Sequence, residues 1–408
     1  MRCRHCDAEL AVSFVDLGSA PPSNAYLSEE ALHRPEVWYP LQVLVCGDCL
    51  LVQTAEFAAF DELFDENYAY FSSFSANWLK HVEAYVEMAT ARFSLTGSSN
   101  VVEIAANDGY LLQYVKARNI PCLGVEPAAG TARAARQKGI EIVDAFFGAE
   151  LARALAAEGK SADLMIANNV LAHVPDINDF VSGFSALLKP QGVATFEFPH
   201  IAQLLRFNQF DTIYHEHFFY FSLATVIRIF DRCGLRVFDV EEIPTHGGSL
   251  RVFSERADSG ARRTENAVKS VLQAERQAGL DRLSGYAGFQ DRAERAKDAF
   301  VRFLLETRQA GKSVAAYGAA AKGNTLLNFA GIRPDLLPFV VDRNPEKQRK
   351  FMPGSRIPIV AEDELRSARP DYIVILPWNL LDEITDQLAY ASAWGARFVT
   401  AIPEIAIK

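Results

Sequence analysis

The sequence has no run of eighteen uncharged apolar residues, so it lacks a segment able to cross a bilayer as a helix. Its opening residues, Met1-Arg2-Cys3-Arg4-His5-Cys6, lack the apolar core of a secretory signal, and a cytoplasmic protein is expected. Positive charge is in deficit: 41 Lys and Arg against 51 Asp and Glu leave a net charge of −10. A general binder of nucleic acid or of anionic membrane has the opposite balance, so neither partner is expected. Cysteine is sparse, six in 408 residues, and in a reducing compartment these are not a disulfide framework. No short tandem repeat is visible. What is present is globular material, 50% hydrophobic and 23% charged, in a chain long enough for two or three domains.

Four of the cysteines form two pairs, Cys3-Arg-His-Cys6 and Cys46-Gly-Asp-Cys49. A two-residue gap lets two thiolates turn onto one ion, and two such knuckles make a closed tetrahedral zinc site with a structural role. The intervening residues are expected to carry structure of their own within a loop-rich module spanning 1–70. Cys122 and Cys233 are read as packing thiols.

From Val101 onward, short apolar strands alternate with helices. Strands are expected at Val101–Ile104, Cys122–Glu126, Glu141–Val143, Leu164–Ala167, Gly192–Phe198 and Leu250–Phe253, in a parallel sheet covered on both faces. The segment from Glu255 to Arg308, rich in Ala, Arg, Glu and Gln and free of Pro, predicts one or two long helices. A second alternation follows, with strands at Ser313–Tyr317, Phe339–Asp342 and Tyr372–Ile375. The expected class is α/β. A Rossmann-like unit over 71–256 is flanked by the zinc module and by a Rossmann-like unit over 257–408.

The first α/β unit places acidic and amide groups at successive strand ends, where such sheets bind nucleosides. Glu103, Ala105, Asn107 and Gly109 end the first strand. Glu126 ends the second at the position where an acid holds ribose hydroxyls. Asp144 and Phe146 follow the third, and Asn168 ends the fourth. Dinucleotide and adenosyl cofactors both use this layout. In the second unit, Tyr317-Gly318 through Lys322-Gly323-Asn324 follows a strand and opens a helix, a position that favours phosphate. Arg343 follows the next strand.

Histidine is scarce, eight in all, yet Tyr214-His215-Glu216-His217 holds two within an aromatic-rich segment. His173, His200 and His246 lie in the same unit or at its edge. A metal site or a general base would each account for such a cluster, as would a packed loop of hydrogen-bonded histidines.

Taken in order, several motifs resemble the bacterial sugar-nucleotide C-methyltransferases that make 3-C-methyl deoxysugars, some for antibiotic biosynthesis. They are the two Cys-x-x-Cys pairs, Tyr70-Phe71-Ser72-Ser73, Val102-Glu103-Ile104 through Asn107-Asp108-Gly109-Tyr110, and Gly124-Val125-Glu126-Pro127. Asn169-Val170-Leu171-Ala172-His173, Tyr214-His215-Glu216-His217, His246-Gly247-Gly248-Ser249 and Tyr317-Gly318 through Lys322-Gly323 complete the series. The resemblance implies a class I methyltransferase domain that uses S-adenosylmethionine, a structural Zn2+, and a dTDP-linked 4-keto-6-deoxy sugar methylated at C3. It implies His217 as the base, with Tyr214, Glu216 and His173 beside the reacting sugar. Tyr70, Ser72, Glu197, His200, His246, Tyr317, Gly318, Lys322, Asn324 and Arg343 are assigned to the nucleotide-sugar substrate. The rival readings are an NAD-dependent sugar-nucleotide oxidoreductase, which wants a fuller glycine-rich loop, and a non-catalytic zinc-containing binding protein.

Overall fold

The computed structural model describes residues 1–55 and 71–408, and three sheets organise them. The first is antiparallel: β1 (Val12–Ala20), β2 (Tyr39–Val45) and β3 (Val52–Thr54), with β9 (Phe219–Tyr220) added on the edge of β3. The expected loop-rich module therefore has a sheet at its centre. Alternation explains it. Leu41, Val43 and Val45 of β2 face one core, and Leu44 between them faces the other. The sheet is thus wedged between the two α/β units, buried on both sides.

The second sheet has the order β10-β11-β8-β7-β4-β5-β6. Its members are β4 (Val101–Ile104), β5 (Cys122–Val125), β6 (Glu141–Val143), β7 (Ala162–Asn168), β8 (Leu188–Pro199), β10 (Leu235–Ile243) and β11 (Ser249–Arg256). β4 to β8 run parallel, whereas β11 is antiparallel to both β8 and β10. The expectation of a purely parallel sheet is corrected at this edge. β10 and β11 form a hairpin, and β10 was not anticipated from its sequence. Chain order reverses between β4 and β7, which opens a crevice at the carboxyl ends of the strands.

The third sheet has the order β14-β13-β12-β15-β16-β17 and is parallel except for its last strand. It comprises β12 (Val314–Tyr317), β13 (Val340–Val341), β14 (Ile359–Val360), β15 (Tyr372–Ile375), β16 (Arg397–Thr400) and β17 (Ala406–Ile407). Between the second and third sheets, the long charged segment forms two helices, Asn266–Gln277 and Phe289–Gln309. The break falls at Gly279, φ +81°, where Gly285 is so close that any Cβ on it would strike the Gly279 carbonyl. The first helix buries Val268 and Val271 in the core of the middle unit, while Phe289 and Phe300 of the second join the core shared with the C-terminal sheet. No helix among the described residues is long and apolar enough to cross a membrane.

Candidate active site and metal centre

The four paired cysteines converge. Their sulfurs all lie within 4.8 Å of one another, with Cys3 to Cys49 at 3.6 Å and Cys6 to Cys46 at 3.5 Å. Tetrahedral zinc with sulfur at about 2.3 Å needs sulfurs about 3.8 Å apart, so the residues fit that ion. The Cys3–Cys49 hydrogen bond lowers the Cys3 thiol and raises that of Cys49, whereas a bound ion takes both as thiolates. The knuckles are tied to the middle unit. His5 Nδ1 meets Asn178 Oδ1 at 2.8 Å, and Arg232 and Arg228 donate to the carbonyls of His5 and Cys49, each at 2.9 Å.

At the crevice, the loop after β4 takes left-handed conformations at Ala105, Asn107 and Gly109, with φ of +57°, +49° and +73°. Glu126 holds this loop: its Oε2 accepts the Asn107 N–H and its Oε1 the Ala128 N–H, both at 2.9 Å. A carboxylate has about four lone-pair sites, so acceptor capacity remains for ribose hydroxyls. Burial raises Glu126 and drives Glu103 well above the usual carboxylate range. Asn168, at the end of β7, is buried with neither amide atom hydrogen-bonded, an orphaned polar group at the place where a cofactor would supply a partner. These features fit an adenosyl cofactor. Asp144 and Phe146 stand farther out: Asp144 pairs with Arg136 at 2.6 Å, and Phe146 is 60% exposed at the rim. Ser72, assigned to the sugar, donates its N–H to Asn107 Oδ1 at 3.0 Å and so lies on the cofactor loop. Tyr70 lies outside the described residues.

The histidine segment lies where all three units meet. His217 Nδ1 bonds the Thr212 carbonyl at 3.0 Å, which requires the proton on Nδ1. The bare Nε2 faces the Tyr214 hydroxyl at 2.8 Å. His173 packs edge-on to His217 with ring centres 4.7 Å apart, and its Nδ1 bonds the Glu216 carbonyl at 2.7 Å. Burial, then the neighbouring His173, holds His217 well below the usual imidazole range. Burial alone lowers His173 to about 4. Glu216 is raised by burial, and its Oε1 accepts from Asn24 of the N-terminal module at 3.1 Å.

Beside this group, His246, φ +55°, bonds Asn169 at 3.2 Å and lies against Trp78. Glu197 is fully buried yet held below the usual carboxylate range. Burial pushes it up, and His81 at 3.0 Å and Arg251 at 3.1 Å outweigh that push. His81 and Trp78, one turn apart on the helix Ala76–Arg92, were missed from sequence, although their i, i+3 spacing marks one helix face. Asp211, Trp378 and Asn24 were missed as well. Their partners lie across domain boundaries, which no local pattern encodes.

His200, assigned to substrate, turns away from this group. Its Nε2 meets the buried Glu275 carboxylate at 2.8 Å. Glu275 also accepts the Leu223 and Ala224 N–H groups that start the helix Leu223–Arg232. His200 is therefore committed to the core.

In the C-terminal unit, Gly318 has φ +90°, and a Cβ there would meet Pro377 at 2.4 Å. Asp342 Oδ2 accepts the Ala319 N–H at 2.7 Å, repeating the role of Glu126 in the other unit. Tyr317 keeps a buried hydroxyl, and Asn324 an entirely buried amide, without hydrogen-bond partners. Arg343 is exposed. Lys322 Nζ lies 2.6 Å from Asn379 Oδ1 and 4.5 Å from the centre of the Trp378 ring, the residues that follow the Pro377 packed on Gly318.

Three family models match the chain in sequence order: a zinc binding domain over residues 3–64, a methyltransferase domain over 78–240 and a C-methyltransferase C-terminal domain over 244–403. The C-methyltransferase NovU of Streptomyces niveus is 36% identical over 402 residues, which cover 98% of this chain and 95% of NovU. Among solved structures, the PH0226 protein of Pyrococcus horikoshii OT3 is 17% identical, covering 47% of this chain and 99% of that one, with a TM-score of 0.39. Magnesium protoporphyrin IX methyltransferase of Synechocystis PCC 6803, with bound SAM, is 16% identical over 44% of this chain and 79% of that one, with a TM-score of 0.34.

Proposed function

The chain belongs to the C-methyltransferase family, and on that premise we propose that it methylates C3 of a nucleotide-linked, dTDP-type 4-keto-6-deoxy sugar. Its middle unit is a class I methyltransferase domain whose cofactor is S-adenosylmethionine, and the four-cysteine cluster is the site of a structural zinc. The donor supplies an electrophilic methyl group on a sulfonium. Glu103, Asn107, Gly109, Glu126 and Asn168 would hold it, with Asp144 and Phe146 at the outer edge.

The observation that carries the reading is the tautomer of His217. With Nδ1–H fixed on the Thr212 carbonyl, Nε2 is an unprotonated base facing the site. A C–H bond beside a ketone is acidic enough for imidazole to break. Nε2 takes the proton, and the bonding pair moves from C3 onto the C4 oxygen as an enolate. C3 would then use that pair to bond the methyl group as the methyl–sulfur bond breaks, its electron pair staying on sulfur, which leaves as a neutral thioether. The Tyr214 hydroxyl, 2.8 Å from Nε2, must yield that position to the substrate, and it then stands ready to bond a sugar oxygen. Glu216, whose carboxyl is raised by burial, stands beside it as a further oxygen partner for the sugar. In the C-terminal unit, Tyr317, Gly318, Asn324 and Arg343 would hold the nucleotide diphosphate, and His246 and Glu197 would border the sugar.

The test is incubation with methyl-labelled S-adenosylmethionine and a panel of 4-keto sugar nucleotides, read by mass spectrometry. One labelled methyl at C3 of a panel member is expected. Methylation only at oxygen or nitrogen, or none across the panel, would overturn the substrate reading and leave the fold untouched.

A further inference from the structure

Lys322 makes its direct contacts with neutral groups. Its ammonium has an amide oxygen at 2.6 Å and an indole face at 4.5 Å. Accessible surface leaves it half-buried, yet desolvation dominates the lowering of its pKa. Among the described residues, the one carboxylate that acts on it, Asp211, lies behind the indole, which leaves the ammonium free to meet an anionic oxygen from the open side.

Its surroundings say where that oxygen comes from. Trp378, beneath the ammonium, donates its Nε1–H to Asp211 Oδ2 at 2.7 Å. The same ring lies where a Cβ on Gly247 would be, at 2.5 Å, next to His246. Thr325, on the helix that carries Lys322, donates to the Ile213 carbonyl at 2.8 Å, one residue before Tyr214. These contacts tie Trp378 and the Lys322 helix to the segment that carries the histidines.

Resting on the function proposed above, we propose that Lys322 is a catalytic cation that meets the enolate oxygen formed on the acceptor, so that the C-terminal unit supplies part of the reaction centre. The ammonium stays protonated throughout and donates a hydrogen bond as charge moves from C3 to the C4 oxygen, where preorganised charge acts most strongly. Its charge already bears on its neighbours, since it contributes to the lowering of His217 and His246. The groups facing His217 are Tyr214 and Glu216 on its own loop, His173 after β7, His246 before β11, Tyr220 on β9, and Lys322 with Asp211 behind it.

The test follows hydrogen exchange at C3 of the 4-keto sugar nucleotide in deuterated water without the methyl donor, in wild type, K322M and K322Q. Affinity for thymidine diphosphate is measured in parallel by calorimetry. The expected result is at least a hundredfold loss of exchange at saturating substrate, with thymidine diphosphate affinity kept within threefold. The acid limb of residual exchange should move to higher pH, because a positive charge beside His217 has gone. Undiminished exchange overturns the proposal, and so does a tenfold loss of diphosphate affinity with exchange intact, which would make Lys322 a diphosphate ligand. If both variants unfold, Asn379→Leu decides. It frees Nζ from its anchor while leaving the charge, and it should cost about tenfold in exchange; an unchanged rate counts against the proposal. Wild-type protein that exchanges no panel member refutes the functional reading, and this inference with it. Wild-type exchange matched by the variants refutes this inference alone.

Discussion

His217→Asn separates a base from a structural histidine. An asparagine amide places its nitrogen close to where Nδ1 of imidazole lies, so it can still donate to the Thr212 carbonyl now bonded at 3.0 Å. That bond is worth about 1 kcal/mol, and keeping it keeps the loop. Nothing in asparagine reaches the position of Nε2, so the proton acceptor is lost. General-base catalysis contributes about 10²–10⁴-fold, or about 3–5 kcal/mol of barrier. C3 hydrogen exchange, followed by mass spectrometry without donor, should fall by that factor while both ligands still bind. The pH dependence adds a second readout. His217 is held well below its unfolded value, so it is neutral at pH 7 and gains its proton only on acidification. Wild-type exchange should be flat from neutrality through pH 6.5 and fall only as pH drops through the folded pKa, well below that value. Between the folded pKa and 6.5 the unfolded chain binds more protons, so this histidine makes the native state less stable as pH drops through that window. The asparagine variant should lack both effects. Exchange within tenfold of wild type, with ligands bound, would refute the assignment of the base.

Cys46→Ser should lower bound zinc, measured by elemental analysis, from one equivalent to a small fraction. It should also speed amide exchange around His5 and Asn178, which the cluster holds in register. Glu275→Ala removes a buried carboxylate from His200 and from two helix-starting N–H groups, and should cost about 3–5 kcal/mol in a urea unfolding curve. Glu275→Gln, which keeps one acceptor, should cost less, and equal losses for the two variants would count against this account.

The strand-end residues were legible because a parallel sheet gathers its carboxyl ends into one crevice, so an acid at the end of β5 belongs there whatever the intervening helices do. The cysteine cluster was legible for a similar reason: a two-residue gap constrains geometry locally. His200 misled because it directly follows β8, yet the chain turns there into the helix Ile201–Arg206 and presents the ring to Glu275. The strands of the N-terminal module were hidden because both faces of β2 are buried, which blurs the polar alternation that marks a one-sided strand. β10 was missed because acidic residues near its end read as solvent-facing, whereas Glu241 pairs with Arg251 across the hairpin. His81, Asp211 and Trp378 gain their meaning only from partners more than a hundred residues away.

Residues 208–217 show why three units are needed to hold one base. Beyond the single turn Phe210–Thr212 the segment has no regular structure, and its few local hydrogen bonds form turns that do not by themselves orient it. Its fixation comes from every side. Gln209 donates to the Gly247 carbonyl, Asp211 accepts from Trp378, and the Ile213 carbonyl accepts from Thr325. His215 Nε2 meets the Tyr39 carbonyl at the start of β2, and Glu216 accepts from Asn24. Two of these partners belong to the N-terminal module, two to the C-terminal unit and one to the loop before β11. A base on a loop must be held within a fraction of an ångström to act, and a loop gains such precision only from the elements packed around it. The flanking units therefore do more than bind zinc and nucleotide. Their contacts hold the Thr212 carbonyl and the His217 ring in register, and that register sets the tautomer on which the proposed proton transfer depends.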